Sequence, residues 1–575
     1  MVTMPVRPPS VRPAIASPAA PGLAPAPANA LRLLLSLLLL ASCGGGGGGS
    51  EVAAPAPAPA PPSALPGLTV SGPTLVAPGC DGGRASGTVF VNAEVEPFVA
   101  VSPADPDLMV GIWQQDRASD GGALALVSAW SADAGRSWSR VLQRFSRCGG
   151  AAPGSPGDFE RASDPWVDIG PDGTVHAMAL AFNGGALRPG SSSAMLAARS
   201  SDGGRSWSPP QLLQRDGATL FNDKNTLTAD RTDARFVYAV WDRIDSANNG
   251  PTLLARSTDA GLSWEPARLI YTPAVSGGSS QTIGNRIVVI ADGPERGVLL
   301  LLFNQIDTVA GVSSGRVRVL RSIDKGQTWS APVTVAELRA VGARDPDTGI
   351  AIRDGAVIPV IAVGPGNRLW AAWQDARFSG GLRDAIALSR SDDGGRNWSA
   401  PVAVSREPAV AAFTPTLHVH GDGRLAISHY DLRSNTSDPA TLLADLWLLT
   451  TRDGLSFSEQ ALARALPLHG APLLPGGYFL GDYQGLVSAG SALLPFAALP
   501  TSDPANRTEV AALRTDPPGL VALAASAYAA RAVPSRPPPG ALDAAAFASA
   551  RSATIQRALQ SRPGRWGAAR EEPLR

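Results

Sequence analysis

Lysine is almost missing from this 575-residue chain: Lys224 and Lys325 are the only two, and the rest of its 49 cationic side chains are arginine. Anionic side chains also number 49, so the net charge is zero. A neutral chain without a basic stripe lacks the electrostatic footprint of a nucleic-acid binder, and no nucleic acid is expected as a partner. Cysteine is scarce at three residues, which excludes a disulfide scaffold and a four-cysteine metal centre. Histidine is nearly as rare; His418 and His420 alternate along one strand face without an evident third ligand, and neither metal nor cofactor is expected. No Gly-x-Ser-x-Gly elbow occurs. What is abundant is glycine (61) and proline (52), which argues against a mostly helical chain and for a turn-rich, all-β body.

Both ends differ from that body. Residues 1–43 read as a Pro/Ala-rich, disordered leader and a signal peptide. Its apolar stretch from Leu33 to Leu40 is too short to span a bilayer as a helix. Leu40-Ala41-Ser42-Cys43 closes it, and this tetrapeptide resembles the lipobox of bacterial lipoproteins, which implies lipidation of Cys43 and a membrane partner through that anchor. Residues 44–67 follow as a Gly and then Pro/Ala tether. Export to the cell envelope would let Cys80 and Cys148 pair. Residues 516–575 read as a Pro/Ala-rich, peripheral tail, with helical composition over 541–560.

Between these ends the chain repeats itself. Ser-x-Asp-x-Gly-x-x-Trp occurs intact at Ser131-Asp133-Gly135-Trp138, Ser200-Asp202-Gly204-Trp207, Ser257-Asp259-Gly261-Trp264, Ser322-Asp324-Gly326-Trp329 and Ser391-Asp393-Gly395-Trp398. A sixth, shortened copy runs from Thr451 to Phe457. Each copy lies between two short apolar runs, the pattern of strand, turn and strand. The Asp carboxylate can accept backbone N–H bonds across the reversal, Gly supplies positive φ, and Trp packs beneath.

These repeats resemble the Asp-boxes of sialidases and related β-propellers. The resemblance implies an all-β propeller over 68–515, built of four-stranded Asp-box blades. Innermost strands starting near Pro97, Pro165, Asn225, Arg286, Pro359, Pro415 and Tyr483 favour seven blades over six, with an N-terminal strand, from Leu68–Val76 or Gly87–Asn92, closing the last.

A propeller site would collect the starts of the innermost strands and the ends of the second strands. The starts carry Glu96, Asp164, Asp223-Lys224-Asn225, Asn285-Arg286, Arg353-Asp354, Thr414 and Asp482-Tyr483. At the ends an aromatic, an Asp and an Arg recur: Trp113 with Asp116 and Arg117, Trp241 with Arg243, Trp373 with Arg377, and Tyr430 with Arg433. One reading is a set of structural ion pairs. The other is a funnel whose Trp113, Trp241 and Trp373 are sugar platforms and whose Arg117, Arg243 and Arg377 bind a carboxylate. The sialidase resemblance implies Tyr483 as nucleophile, Glu96 as its partner, and Asp164 or Asp116 as the acid. The pattern departs where sialidases carry Arg-Ile-Pro: Val95-Glu96-Pro97 stands there, and its carboxylate would repel sialic acid. The expected partner is a glycan or glycoconjugate. Three readings remain: a sialidase-like glycoside hydrolase, a hydrolase of another sugar using Glu96 with Asp164, and a non-catalytic carbohydrate- or protein-binding propeller.

Overall fold

The computed structural model describes residues 68–516 and 526–561. Contacts divide the chain after Ala60, so every described residue belongs to the second part. Cys43, the leader and the tether lie outside the described residues.

Among them, seven antiparallel four-stranded units follow one another. The first consists of Val95–Val101, Met109–Ala118, Ala123–Ser131 and Ser139–Gln143. The next five repeat this order, with first strands Arg161–Ile169, Leu220–Ala229, Gly278–Val289, Val360–Val363 and Ala412–Val419. The seventh has three strands of its own, Gly485–Ala489, Ala492–Pro500 and Thr508–Ala512. Its fourth is Leu68–Thr69 from the N-terminal side, paired with Ala511 and Ala512. Val89–Phe90 instead pairs with the second strand of the first unit.

The first strand of each unit packs against the first strand of the next, and Gly485–Ala489 packs against Val95–Val101. Apolar residues on both faces of the sheets explain this. Trp113 and Val127 of the first unit share a core cluster with Leu494 and Phe496 of the seventh. Leu300 and Leu302 of the fourth share one with Ala371 and Trp373 of the fifth. Strands covered on both faces read as near-continuous apolar runs, as these do.

The Asp-boxes are the turns between third and fourth strands. In the first, Ser131 Oγ lies 2.7 Å from Asp133 Oδ1, which also accepts the Ser137 N–H at 2.9 Å. The Trp138 indole donates to the Gly135 carbonyl at 3.1 Å and packs 5.5 Å from the Phe496 ring. Cys80 and Cys148 form a disulfide.

The C-terminal segment is not peripheral. Asp543 caps the helix Ala544–Gln560 through the Ala546 N–H at 2.8 Å, and Ile555 and Leu559 are buried in the core cluster of the fourth and fifth units. Ser552 Oγ accepts from the Ser313 N–H at 2.9 Å. Only two apolar residues one turn apart are buried, beside Ser552 and Thr554, so the apolar stripe of the helix is weak.

Candidate functional site

A repeated backbone device shapes the space between the first strands. In five of them the pairing register slips where the strand starts: between Val95 and Phe98, Ser163 and Trp166, Asp223 and Thr226, Ile283 and Arg286, and Phe413 and Thr416. The residue inside each slip has positive φ: Glu96 (54°), Asp164 (50°), Lys224 (49°), Gly284 (68°) and Thr414 (49°). A bulge of this kind re-aims a side chain, and a non-glycine residue there costs about 1–2 kcal/mol. Three of the four non-glycine residues are charged, and those three meet.

Lys224 is the hub. Its Nζ lies 2.6 Å from Asp482 Oδ2, 3.4 Å from Asp164 Oδ1 and 3.5 Å from Glu96 Oε1. Arg353 Nη2 holds Asp482 from the other side at 2.8 Å. Gln114 donates to Glu96 and, at 3.1 Å, to Ser163 Oγ, and accepts from Arg117 Nη1 at 2.6 Å. Glu96, Asp164, Lys224, Asp482 and Arg117 are all buried. Three acids thus face three cations of the same chain.

Small strands bring the distant members in. Ile352–Arg353 pairs in parallel with Gly477–Phe479, joining the loops that carry Arg353 and Asp482. Phe479 then supports both cations, with the Arg353 and Arg117 guanidiniums 4.3 and 4.9 Å from its ring centre. The loop crosses Glu96 at Gly481, whose φ is 138°; a Cβ there would stand 2.7 Å from the Glu96 nitrogen. The C-terminal helix adds a cover: Arg353 Nη1 donates to the Ser561 carbonyl at 3.1 Å, and Thr554, Arg557 and Ala558 line the small cavity of about 40 Å³ above Asp482.

Burial pushes the Glu96 carboxyl up, against the pull of Lys224. Burial acts the same way on Asp164, but Lys224 outweighs it and holds Asp164 below the usual carboxylate range; the Glu96 carboxyl is also its hydrogen-bond partner. Asp482 is likewise held low despite burial, by Arg353 and then Lys224. Lys224 is raised, the three acids outweighing its burial.

The expected residues divide. Glu96, Asp164 and Arg117 come together. Tyr483 lies beneath them, 5.3 Å from the Trp166 ring, and its hydroxyl donates to the Pro165 carbonyl at 3.0 Å rather than to Glu96. Burial, then the Glu96 charge, pushes its hydroxyl far above the ordinary tyrosine range. Asp116 faces elsewhere, accepting from Thr74 Oγ1 at 2.7 Å and the Asn92 N–H at 2.9 Å. Arg243 pairs with Asp216 at 3.6 Å and Arg377 with Asp375 at 2.7 Å, so both are spent locally. Arg433 is spent in the same way, between Asp431 and Glu459. Trp113, Trp241 and Trp373 are 0 % exposed and offer no face to a sugar; the apolar contacts between neighbouring units use them instead. His418 Nε2 and His420 Nε2 bond to Ser488 and Gly490 of the adjoining unit. Lys224, Arg353, Asp482 and Gln114 were given no role from sequence. The signal for Lys224 was present: one of only two lysines stands at a strand start.

No protein-family model matches the chain, and no curated protein matches it. Among solved structures, similar ones include a leech intramolecular trans-sialidase (13% identity, 75% of this chain and 92% of that one, TM-score 0.42). A Hadza microbial sialidase shares 16% identity over 59% of this chain and 63% of its own, with TM-score 0.38. An α-L-arabinofuranosidase from Fusarium graminearum shares 12% over 59% and 88%, with TM-score 0.39. The likeness is one of fold alone.

Proposed function

We propose that this chain is an exported, seven-bladed propeller of sialidase-like build, held at the cell surface by a lipid on Cys43, that binds glycan or protein ligands without hydrolysing sialosides. The seven units, the contact between the last first-strand and the first, and the fourth strand supplied by Leu68–Thr69 support the ring. The Cys80–Cys148 disulfide supports export, and Leu40-Ala41-Ser42-Cys43 supports the anchor. Substituting Cys43→Ser should abolish incorporation of a labelled fatty acid; labelling that persists would contradict the anchor.

The observation that carries the non-catalytic reading is the closed charge balance at the strand starts. Glu96, Asp164 and Asp482 each already have Lys224 or Arg353, and Arg117 is held by Gln114 and the Phe479 ring. Glu96 and Asp164 are in hydrogen-bond contact, whereas glycosidase carboxyl pairs stand about 5–9.5 Å apart to admit the sugar. A nucleophilic Tyr483 would need a base on its hydroxyl, which instead donates to a backbone carbonyl. Screening the purified protein with fluorogenic glycosides beside a glycan array tests this: array binding without turnover is expected, and turnover contradicts it.

One observation favours the hydrolase as a second reading. Glu96 is pushed up and Asp164 down, the opposed shifts of an acid and a base. On that reading a glycoside is cleaved, and Glu96→Gln abolishes the cleavage.

A further inference from the structure

Below the charge cluster the same strands continue, and their inward side chains change character. Side chains two residues apart along a strand share a face, so the first strands line the space between them in layers. Glu96 and Asp164 belong to the top layer. Phe98 and Trp166 stack beneath them, 3.7 Å apart, with Tyr483 edge-on, and together they separate the cluster from what lies below. Beneath is a cavity of about 390 Å³ lined by residues of all seven first strands. It lies toward the strand ends, the side on which the Asp-box turns also lie, opposite the strand starts.

Arg286 projects into this cavity and is unlike the other arginines around it. Its guanidinium lies beside this stacked pair, 5.2 Å from the Trp166 centre and 5.5 Å from that of Phe98. Among the described residues it makes no hydrogen bond and no ion pair; Asp168 is the one charged group that acts on it. Asp168 is already occupied, by Arg231 at 2.5 Å and by the Ile169 and Ala229 N–H groups at 2.9 and 3.0 Å. Asp292 stands exposed at the rim. His418, at the wall, is held neutral: burial lowers it to about 3. One positive charge is therefore left over inside the cavity. The surrounding walls are Val99, Leu227, Val289, Val419 and Leu486.

A guanidinium without a partner, set against aromatic rings and beside aliphatic walls, carries an unmet electrostatic demand, and its planar fork matches a carboxylate. The volume suits a small organic ligand. We propose that this cavity is a binding site for a small monocarboxylate with an apolar body, its carboxylate on Arg286 and its body against the aliphatic walls. The ring contacts hold the guanidinium in place before the ligand arrives, so little is spent on placing it. The site is separate from the strand-start cluster and does not depend on whether that cluster is catalytic.

Calorimetric titration of the full chain with octanoate, and with 1-octanol as the uncharged control, tests the site. Octanoate should bind at one site per chain, at least about tenfold tighter than octanol, and Arg286→Met should weaken octanoate by at least about tenfold. Val419→Phe, which fills the cavity without touching Arg286, should abolish binding, and it decides the matter if Arg286→Met does not fold. Absence of octanoate binding, equal affinity for the alcohol, or undiminished binding to either variant would overturn the site.

Discussion

Lys224 and Asp482 lie 258 residues apart in sequence, yet Lys224 Nζ and Asp482 Oδ2 are 2.6 Å apart and both side chains are buried. The pair ties the start of the third first-strand to the loop that enters the seventh unit. Glu96 and Asp164 share the same ammonium, so one side chain joins acids from three other units.

Removing that ammonium leaves buried carboxylates without a cation. Lys224→Met should cost about 3–5 kcal/mol of stability, read from urea unfolding. The double variant with Asp482→Asn should cost less than the two single changes added together. Additive losses would mean that the two residues do not act as a pair.

Stability should fall as pH rises across the neutral range. Glu94 is pushed up to about 8 by burial from an ordinary 4.5, Asp384 is pushed up to about 8 as well, and Glu96 is also raised. A carboxyl raised by folding contributes fully below its unfolded value and loses that contribution as pH climbs through the folded one. The melting temperature should therefore decline from about pH 5 to 8 and level off above. Glu94→Gln, a neutral mimic, should flatten part of the decline; an unchanged slope would contradict the assignment.

The Asp-boxes act at the acid end. Asp324 accepts the Thr328 N–H at 2.9 Å and its hydroxyl at 2.6 Å, and is lowered to about 2, its hydrogen bonds outweighing burial. A lowered carboxylate contributes above its ordinary value and loses that contribution as pH falls through about 2. Asp324→Ala should cost about 1–2 kcal/mol at pH 7 and much less at pH 2, measured by chemical unfolding. Equal cost at both would contradict the carboxylate's role.

Docking of the C-terminal helix rests on Ile555 and Leu559, which are 1% and 3% exposed. Ile555→Asp should release the helix and make 541–561 the first site of limited proteolysis, while the units before it stay intact. Protection of the helix in that variant would show that its polar contacts hold it alone.

The repeat was legible because an Asp-box is local: its hydrogen bonds and positive φ lie within one octapeptide. The strand starts were legible for the same reason, and Glu96, Asp164, Lys224, Arg353 and Asp482 all stand at them. Their pairing was not, because it depends on where seven strand starts converge. Trp113, Trp241 and Trp373 misled by position: a residue at the end of a second strand can face the next unit as readily as the funnel. The docking of the helix is hard to read because two buried apolar residues leave little trace in a periodicity.

Turnover of a fluorogenic sialoside by the purified chain, followed from pH 4 to 8, bears most directly on the closed charge cluster. With Glu96, Asp164 and Asp482 held by Lys224 and Arg353, and Arg117 held by Gln114, no release above the buffer blank is predicted at any pH. Release that disappears in Glu96→Gln or Tyr483→Phe would contradict it.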